Sequence, residues 1–262
     1  MRVRPSAFAG TFYPDKPQEL SAVVKNYLSK TGSAAPSMLV KAIIAPHAGY
    51  IFSGTTAGAA YAAVMARQNE IERVIVLGPS HRVGFSGVAS SGASAFETPL
   101  GPLAVDRDAV TALTTAGLAR EFEGAHENEH SLEVQLPFIK TVFPSAHIVP
   151  LLAGDEDWQA CKRVLAALWG KAETLIVISS DLSHYHDYAT AQRIDSETAK
   201  QIASLASGSI DHEQACGATA VNGILAIAAE KKMSCQTLDL RNSGDTAGPK
   251  NRVVGYGAFA IG

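Results

Sequence analysis

Short apolar runs alternate along the chain with longer segments in which apolar residues recur every three or four positions. Such short runs are typical of buried strands, and the periodic segments are typical of helices that pack on a sheet. Strands are predicted at Leu39–Ala45, Arg73–Gly78, Ala146–Leu152, Leu175–Ser180, Ser234–Leu240 and Arg252–Ile261. Helices are predicted between them, at Ser53–Arg67, Asp106–Ala116, Asp155–Trp169, Tyr188–Leu205 and Asp211–Glu230.

The segments before the first strand and after the second have their own patterns. Residues 4–14 combine turn formers with aromatic side chains and are interpreted as an ordered arm laid over the domain. Asp15 is predicted to cap a helix with Pro17 in its first turn, and residues 31–37 are predicted to be a linker. Residues 83–102 are rich in glycine and serine, which favours a hairpin or an excursion beside the functional site.

This order of elements predicts the α/β class, with a central and largely parallel sheet flanked by helices. The 262 residues, of which 47% are hydrophobic, suffice for a substantial core, and we expect one domain over residues 1–262.

Three of the apolar runs deliver a histidine within a few residues of their ends. His47 follows the first run directly after Pro46, His81 follows the second, and His184 follows the third. Because the carboxyl ends of parallel strands meet at one edge of a sheet, these imidazoles are expected to lie close together. The simpler interpretation of each, a histidine that only ends a strand, does not explain the threefold recurrence.

Composition excludes several classes of function. The formal charge is −3, from 22 Lys and Arg against 25 Asp and Glu, and no basic block suggests a nucleic-acid interface. The start of the chain lacks the apolar core of a signal peptide, and no apolar run approaches the about 20 residues that a membrane span needs. We therefore expect a soluble, cytoplasmic protein. Its three widely spaced cysteines predict neither a disulfide framework nor a CxxC metal site.

Imidazole and carboxylate groups together bind divalent metals, and two histidines with one acid leave open positions for chemistry. His47 and His81 are the best candidate pair. Asp245, in the loop between the last two strands, is the first choice for the third ligand, and Glu133 is the second. His184 is predicted to be a general base, with ligation as the alternative, because imidazole moves protons near neutral pH.

Four further residues have open interpretations. Asp181 orients His184 or caps a helix. His130 and Glu133, three residues apart, share one face if their segment is helical, where they would contact substrate, bind metal or form a local pair. Cys216, next to Gly217 near a helix start, has a lowered thiol pKa or is a buried and inert cysteine.

The ordered motifs of the chain resemble the Memo family, whose bacterial and archaeal members are called AmmeMemoRadiSam system protein B. They are AGTFYP at 9–14, IIAPHAGY at 43–50, LGPSH at 77–81, EHSLEVQLPF at 129–138, SSDLSH at 179–184 and ACG at 215–217. This family is similar to the LigB-type class III extradiol dioxygenases, in which non-heme Fe(II) opens catechol rings. The resemblance therefore implies a metal cleft at the edge of a central sheet.

Carried over to this sequence, the resemblance implies that His47 and His81 bind the metal, that His184 is the acid–base histidine, and that His130 lines the cleft. Glu133, Ser80, Cys216 and Tyr50 would contact substrate or support the ligands. Animal relatives offer a cysteine in the C-terminal loop, where this chain has Asp245. A carboxylate there makes Fe(II) the expected ion, ahead of Cu or Zn.

Three functions follow from these expectations. The first is a metal-dependent oxidoreductase that resembles the dioxygenases, linked to a radical-SAM protein and an AMMECR-type protein and acting on a small molecule or a peptide. The second is a non-catalytic metal-containing module that binds a protein or peptide. The third is a zinc hydrolase that uses His130 and Glu133.

Overall fold

The structure, a computed structural model, describes residues 2–30, 36–154 and 157–262. Most of the predicted linker, residues 31–35, and the predicted start of the helix at 155–156 therefore lie outside the described residues.

The main sheet contains the predicted strands, with bounds that differ by a few residues. A second, small sheet lies beside it. The strands of the two sheets together are β1 (Val3–Arg4), β2 (Ala42–Ala45), β3 (Arg73–Pro79), β4 (Val88–Ser90), β5 (Ala95–Phe96), β6 (Leu103–Ala104), β7 (Arg120–Glu121), β8 (His147–Ala153), β9 (Thr174–Ser179), β10 (His184–His186), β11 (Cys235–Asn242) and β12 (Val253–Ile261). The helices are α1 (Pro17–Ser29), α2 (Tyr50–Ala62), α3 (Arg107–Thr115), α4 (Glu123–His126), α5 (Leu136–Val142), α6 (Trp158–Ala167), α7 (Tyr188–Ala203) and α8 (Ala218–Glu230).

The centre of the sheet is parallel and its flanks are mixed. Strands β2, β9, β3 and β8 lie side by side in that order, and all three pairings are parallel. Strand β12 joins β2 in the antiparallel direction and pairs with β11 and β10, while β4 is antiparallel to β8. The α/β class is confirmed, and the parallel part is limited to the strands that helices connect. Strands β11 and β12 are antiparallel because only a short loop joins them.

The four central strands form the core of the protein. Residues such as Ile43, Ile75 and Ile176 have no exposed surface, as expected for parallel strands that are covered on both faces. Among the described residues, no helix is long and apolar enough to span a membrane.

Helix α2 begins immediately after the turn that carries His47, so its packing fixes that turn. It lies very close to α1, since a Cβ atom at Gly58 would be 2.6 Å from the backbone oxygen of Tyr27. Glycine is required at this position because any side chain would separate the two helices. Asp15 does not cap α1 as predicted, because the capping position is Lys16 and carries no side-chain bond.

The segment 127–138, which would place His130 and Glu133 on one face if it were helical, is not one continuous helix. The described segment is a turn around His130, then a short 3-10 turn at Glu133–Gln135, and only then α5. His130 and Glu133 therefore do not share a helix face, and their side chains serve different parts of the structure. The glycine-rich segment 83–102 is an excursion, as expected: it adds β4 to the main sheet and β5 to a small sheet with β1 and β6.

Candidate metal centre

The carboxyl ends of three adjacent strands bring two of the predicted histidines together. His47 follows β2, His81 follows β3, and β9 lies between these two strands. The ring centroids of His47 and His81 are 5.2 Å apart, and His130 lies 5.4 Å from the first and 4.6 Å from the second. The strand-end pattern thus predicted the position of this cluster.

Cys216 completes a group with the two histidines. One ligand atom from each of His47, His81 and Cys216 lies within 4.8 Å of the other two, and the Cys216 Sγ atom is 3.3 Å from Nε2 of His47. Gly217 makes this approach possible, because a Cβ atom there would lie 2.8 Å from the backbone oxygen of Ser179. The loop before α8 can therefore reach the end of β9.

Asp245, the predicted third ligand, is not part of this group. It is exposed, accepts a hydrogen bond from the backbone N–H of Asn242 at 2.9 Å, and also accepts one from the Tyr188 hydroxyl. Strand β12 pairs with β2 only through Phe259–Ile261, so its earlier residues and the preceding loop project beyond the sheet edge. The structure therefore does not bring Asp245 to His47 and His81, and the group with them is completed by a thiol.

The tautomer of His47 follows from a chain of buried hydrogen bonds. Ser179 donates its only hydroxyl hydrogen to the backbone oxygen of Ser131 at 2.6 Å, and its oxygen accepts from Nε2 of Gln135 at 2.8 Å. Nδ1 of His47, 2.8 Å from the same oxygen, must therefore be the donor. The lone pair of His47 is then on Nε2, the nitrogen that faces Cys216.

Glu129 orients His81 in the same way. Its Oε1 atom is 2.9 Å from Nδ1 of His81 and accepts the backbone N–H of Ser131 at 2.9 Å. Its Oε2 atom accepts the backbone N–H of His81 at 2.6 Å. A carboxylate can only accept here, so Nδ1 of His81 is the donor in this contact and Nε2 is the ring nitrogen left for a metal. These contacts hold the pKa of Glu129 at about 2 despite its burial.

His130 and the N-terminal arm form one wall of the cleft. The ring of His130 stacks on His81, and Phe12 and Phe8 lie 4.9 Å and 5.6 Å from its centroid. Its Nδ1 atom is buried without a hydrogen bond among the described residues and lies 3.3 Å from Oε1 of Glu129. Burial lowers the pKa of His130 to about 4, so this imidazole is neutral at pH 7.

Glu133 holds the arm rather than lining the cleft. It is fully buried and pairs with Nη1 of Arg4 at 2.7 Å. It also accepts the backbone N–H groups of Ala7 and Phe8 and the hydroxyl of Tyr13, at 2.7 to 3.0 Å. With four donors around it, this carboxylate is not available to a substrate or a metal. Its role is to position the segment that contacts His130.

Asp181, after β9, and His184, at the start of β10, both lie near His47. Asp181 is buried and accepts the backbone N–H of His47 at 2.7 Å, so it fixes the turn rather than capping a helix. Burial raises its pKa, while the adjacent His184 opposes that rise. Within the described ranges the ring of His184 makes no hydrogen bond, and it is partly exposed. Its ring is therefore open to contact with a bound molecule.

The electrostatics of the cluster favour neutral groups. Burial lowers the pKa of His47 well below its ordinary value, and His81, His130 and His184 lower it further. Burial also raises the pKa of Cys216, and the charge of Asp181 adds to this effect. His47 and His130 are therefore neutral imidazoles beside a protonated thiol. Of the two interpretations of Cys216, the buried cysteine fits the structure and a lowered thiol pKa does not.

Two other predicted residues support the site without lining it. The Ser80 hydroxyl donates to the backbone oxygen of Val83 at 2.7 Å, which closes the turn that carries His81. Tyr50 is buried and donates to the backbone oxygen of Val134 at 2.9 Å. Sequence reasoning missed Glu129, Ser179 and Gln135. Glu129 begins the EHSLEVQLPF motif and Ser179 begins the SSDLSH motif, but only the fold shows that they contact Nδ1 of His81 and of His47.

Comparison with known proteins gives a consistent result over nearly the whole chain. A family model described as Memo-like protein matches residues 4–260. The chain is 34% identical to a MEMO1 family protein of Methanopyrus kandleri, with 98% of each chain covered. It is 33% identical to one of Aquifex aeolicus, again over 98% of each, and 32% identical to one of Methanosarcina mazei over 100% of each.

The contact between Glu129 and His81 yields a first prediction. In Glu129→Gln the amide cannot accept all the N–H groups that the carboxylate accepts, so His81 loses its fixed orientation. Metal affinity should fall by about 10- to 100-fold, as measured by competition with a chromogenic chelator. Glu127→Gln removes the same charge from an exposed position two residues away and should leave affinity unchanged. Equal effects of the two changes would contradict the assigned role.

The buried histidines predict how the metal-free protein responds to acid. Burial lowers the pKa of His126 and of His130 to about 4, whereas the unfolded chain titrates near 6.5. The unfolded state therefore binds more protons between these values, and the free energy of unfolding should fall as pH drops from about 6.5 to 4, by a few kcal/mol. Urea unfolding across this range measures the slope. In His126→Gln the slope should be smaller, and an unchanged slope would contradict the prediction.

Proposed function

The chain belongs to the family of Memo-like proteins, and we propose that it is a metal-dependent oxidoreductase whose cleft binds iron or copper through His47, His81 and Cys216. The observation that carries this proposal is the convergence of two oriented imidazoles and one thiol within 4.8 Å at the carboxyl edge of the sheet. Binding sites of α/β proteins lie at this edge.

The donor set fits such an ion. Both histidines are held through Nδ1, by Ser179 and by Glu129, so each offers Nε2. Metal-binding histidines are held in this way through their second nitrogen. Imidazole with thiolate suits iron, copper or zinc, and the thiolate increases the preference for copper over an oxygen ligand. Since Asp245 lies outside the group of His47, His81 and Cys216, the argument that favoured Fe(II) over copper does not apply to these three donors.

A bound iron or copper ion would supply electron transfer and activation of O₂. The side chains around it have separate tasks. Cys216 must release its proton when it binds, because a coordinating thiol is deprotonated. His184, whose ring has no described hydrogen-bond partner, transfers a proton to or from the substrate. His130, Phe8 and Phe12 form a wall that limits the access of water.

Two other functions fit the site less well. The hydrolase requires Glu133 as a base, and its burial against Arg4 and three further donors removes that role. A passive zinc-containing module uses the same ligands, but it does not need a proton-transferring group at His184. The oxidoreductase therefore accounts for more of the site.

Metal binding tests the first part of this proposal. Cys216→Ser should lose most of its bound iron or copper, because a neutral hydroxyl is a poor ligand for either ion. Metal analysis of protein purified without oxygen or chelator measures the content. Cys235→Ser, which changes a partly buried thiol in β11, is the matched control and should keep its metal. Retention of metal by Cys216→Ser would exclude the thiol as a ligand.

Turnover tests the second part. Protein loaded with Fe(II) or copper should consume O₂ in the presence of a catechol or a reductant, and zinc-loaded protein should not. His184→Asn should keep its metal and lose about 10²- to 10⁴-fold in rate, as expected when a proton-transfer group is removed. An oxygen electrode and metal analysis on the same samples provide both measurements. Loss of metal in this variant would make His184 a ligand, and full function of the zinc form would exclude the oxidoreductase.

A further inference from the structure

Tyr185, next to His184, has a backbone conformation that aromatic residues rarely adopt. Its φ angle is +65°, in the left-handed region that costs most residues energy. In the described part of the chain, the other non-glycine residues with positive φ are Leu205 and Lys232. Both come directly after the capping residue of a helix, α7 and α8, where a left-handed residue closes the last turn.

No helix end explains the conformation of Tyr185. It lies in β10, where the pairing with β12 shifts between His184 and His186. Such irregularities in a strand redirect side chains, and they are frequent next to active sites. Strain of this kind persists where the surrounding structure imposes it, and it concentrates at sites that bind ligands.

The irregularity leaves the ring of Tyr185 in solvent between two polar groups. The residue is 63% exposed. Its ring lies 5.6 Å from that of His184, and the guanidinium carbon of Arg252 lies 4.3 Å from its centroid. The ring therefore lies between the proposed proton-transfer histidine and the cation of Arg252.

Arg252 has no carboxylate partner within residues 2–30, 36–154 and 157–262. It is exposed, and the Tyr185 ring restrains its guanidinium plane. A restrained guanidinium without a partner is suited to bind a planar anion through two parallel hydrogen bonds.

We propose that Arg252 and Tyr185 bind the carboxylate group of a small organic acid, placing the rest of that acid beside His184. This rests on the proposed function, since it assigns the substrate class of the same cleft. A single guanidinium balances one negative charge, which favours a carboxylate over a doubly charged phosphate. The tyrosine ring supplies an apolar face for the atoms next to the carboxylate.

Benzoate is the probe that tests this proposal, and titration calorimetry on the metal-loaded protein measures its affinity. Arg252→Gln should weaken binding by about tenfold or more, the size expected for a lost hydrogen bond to a charged group. Lys250→Gln removes the same charge two residues away, from a side chain that lies over Tyr188, and should change affinity by less than about twofold. Benzamide, of similar shape but neutral, should bind wild-type protein no better than it binds Arg252→Gln.

Three results would overturn the proposal. The first is equal binding of benzoate to wild-type protein and Arg252→Gln, including the case in which binding depends only on the metal. The second is an equal loss in Lys250→Gln, which would indicate a general effect of charge. The third is tighter binding of phenylphosphonate than of benzoate, which would assign the site to phosphate groups.

The strained backbone gives an independent test. Asparagine tolerates the left-handed region, so Tyr185→Asn should raise the thermal midpoint while weakening benzoate binding. Lys232→Asn relieves a similar φ angle at the end of α8 and should raise the midpoint without changing benzoate affinity. A lower midpoint for Tyr185→Asn, or unchanged benzoate affinity, would contradict the role of Tyr185.

Metal content and O₂ consumption of the same samples separate this proposal from the proposed function. If benzoate fails to bind while metal content and O₂ consumption persist, only the carboxylate site is excluded. If benzoate binds through Arg252 while no redox activity is found, the carboxylate site stands and the oxidoreductase does not.

Discussion

The site depends on one feature of the sheet, the parallel alignment of β2, β9 and β3 with β9 in the middle. Each outer strand ends just before a histidine, and the central strand ends at Ser179, whose hydroxyl reaches Nδ1 of His47. A shift of one residue in β9 would turn Ser179 to the other face of the sheet. The apolar residues that set this register, among them Ile43, Ile75 and Ile176, therefore also position the donors of the site.

Two buried carboxylates in one segment organise the rest of the cleft. Glu129 orients His81, and Glu133, four residues later, anchors the N-terminal arm that packs against His130. Arg4 connects them, because it pairs with Glu133 and donates to the backbone oxygen of Glu129 at 2.9 Å. Buried ion pairs contribute little net stability when compared with apolar replacements. Their role here is to give the arm and the histidine segment one defined arrangement.

Local patterns predicted the strands and the edge at which His47, His81 and His184 collect, because strand ends follow from apolar runs and turn formers alone. The third member of the cluster was not predictable in the same way. Cys216 reaches the site from a loop far along the chain, through a close approach that depends on Gly217. Asp245 is a candidate third ligand by sequence because it is an acid in the loop between the last two strands. In the structure β12 extends past the end of β2, and this extension separates Asp245 from the histidines. These outcomes depend on strand lengths and tertiary contacts that no local pattern encodes.

Burial has opposite consequences for the two kinds of donor in the cluster. It keeps His47 neutral, and the neighbouring imidazoles strengthen this effect, so the Nε2 lone pair is available well below neutral pH. The same burial keeps Cys216 protonated, so its sulfur becomes a strong ligand only when a proton leaves. A metal that binds at neutral pH would therefore release a proton from the thiol and none from His47. The affinity of the proposed site at neutral pH would thus depend on Cys216, the residue whose approach to β9 depends on a single glycine.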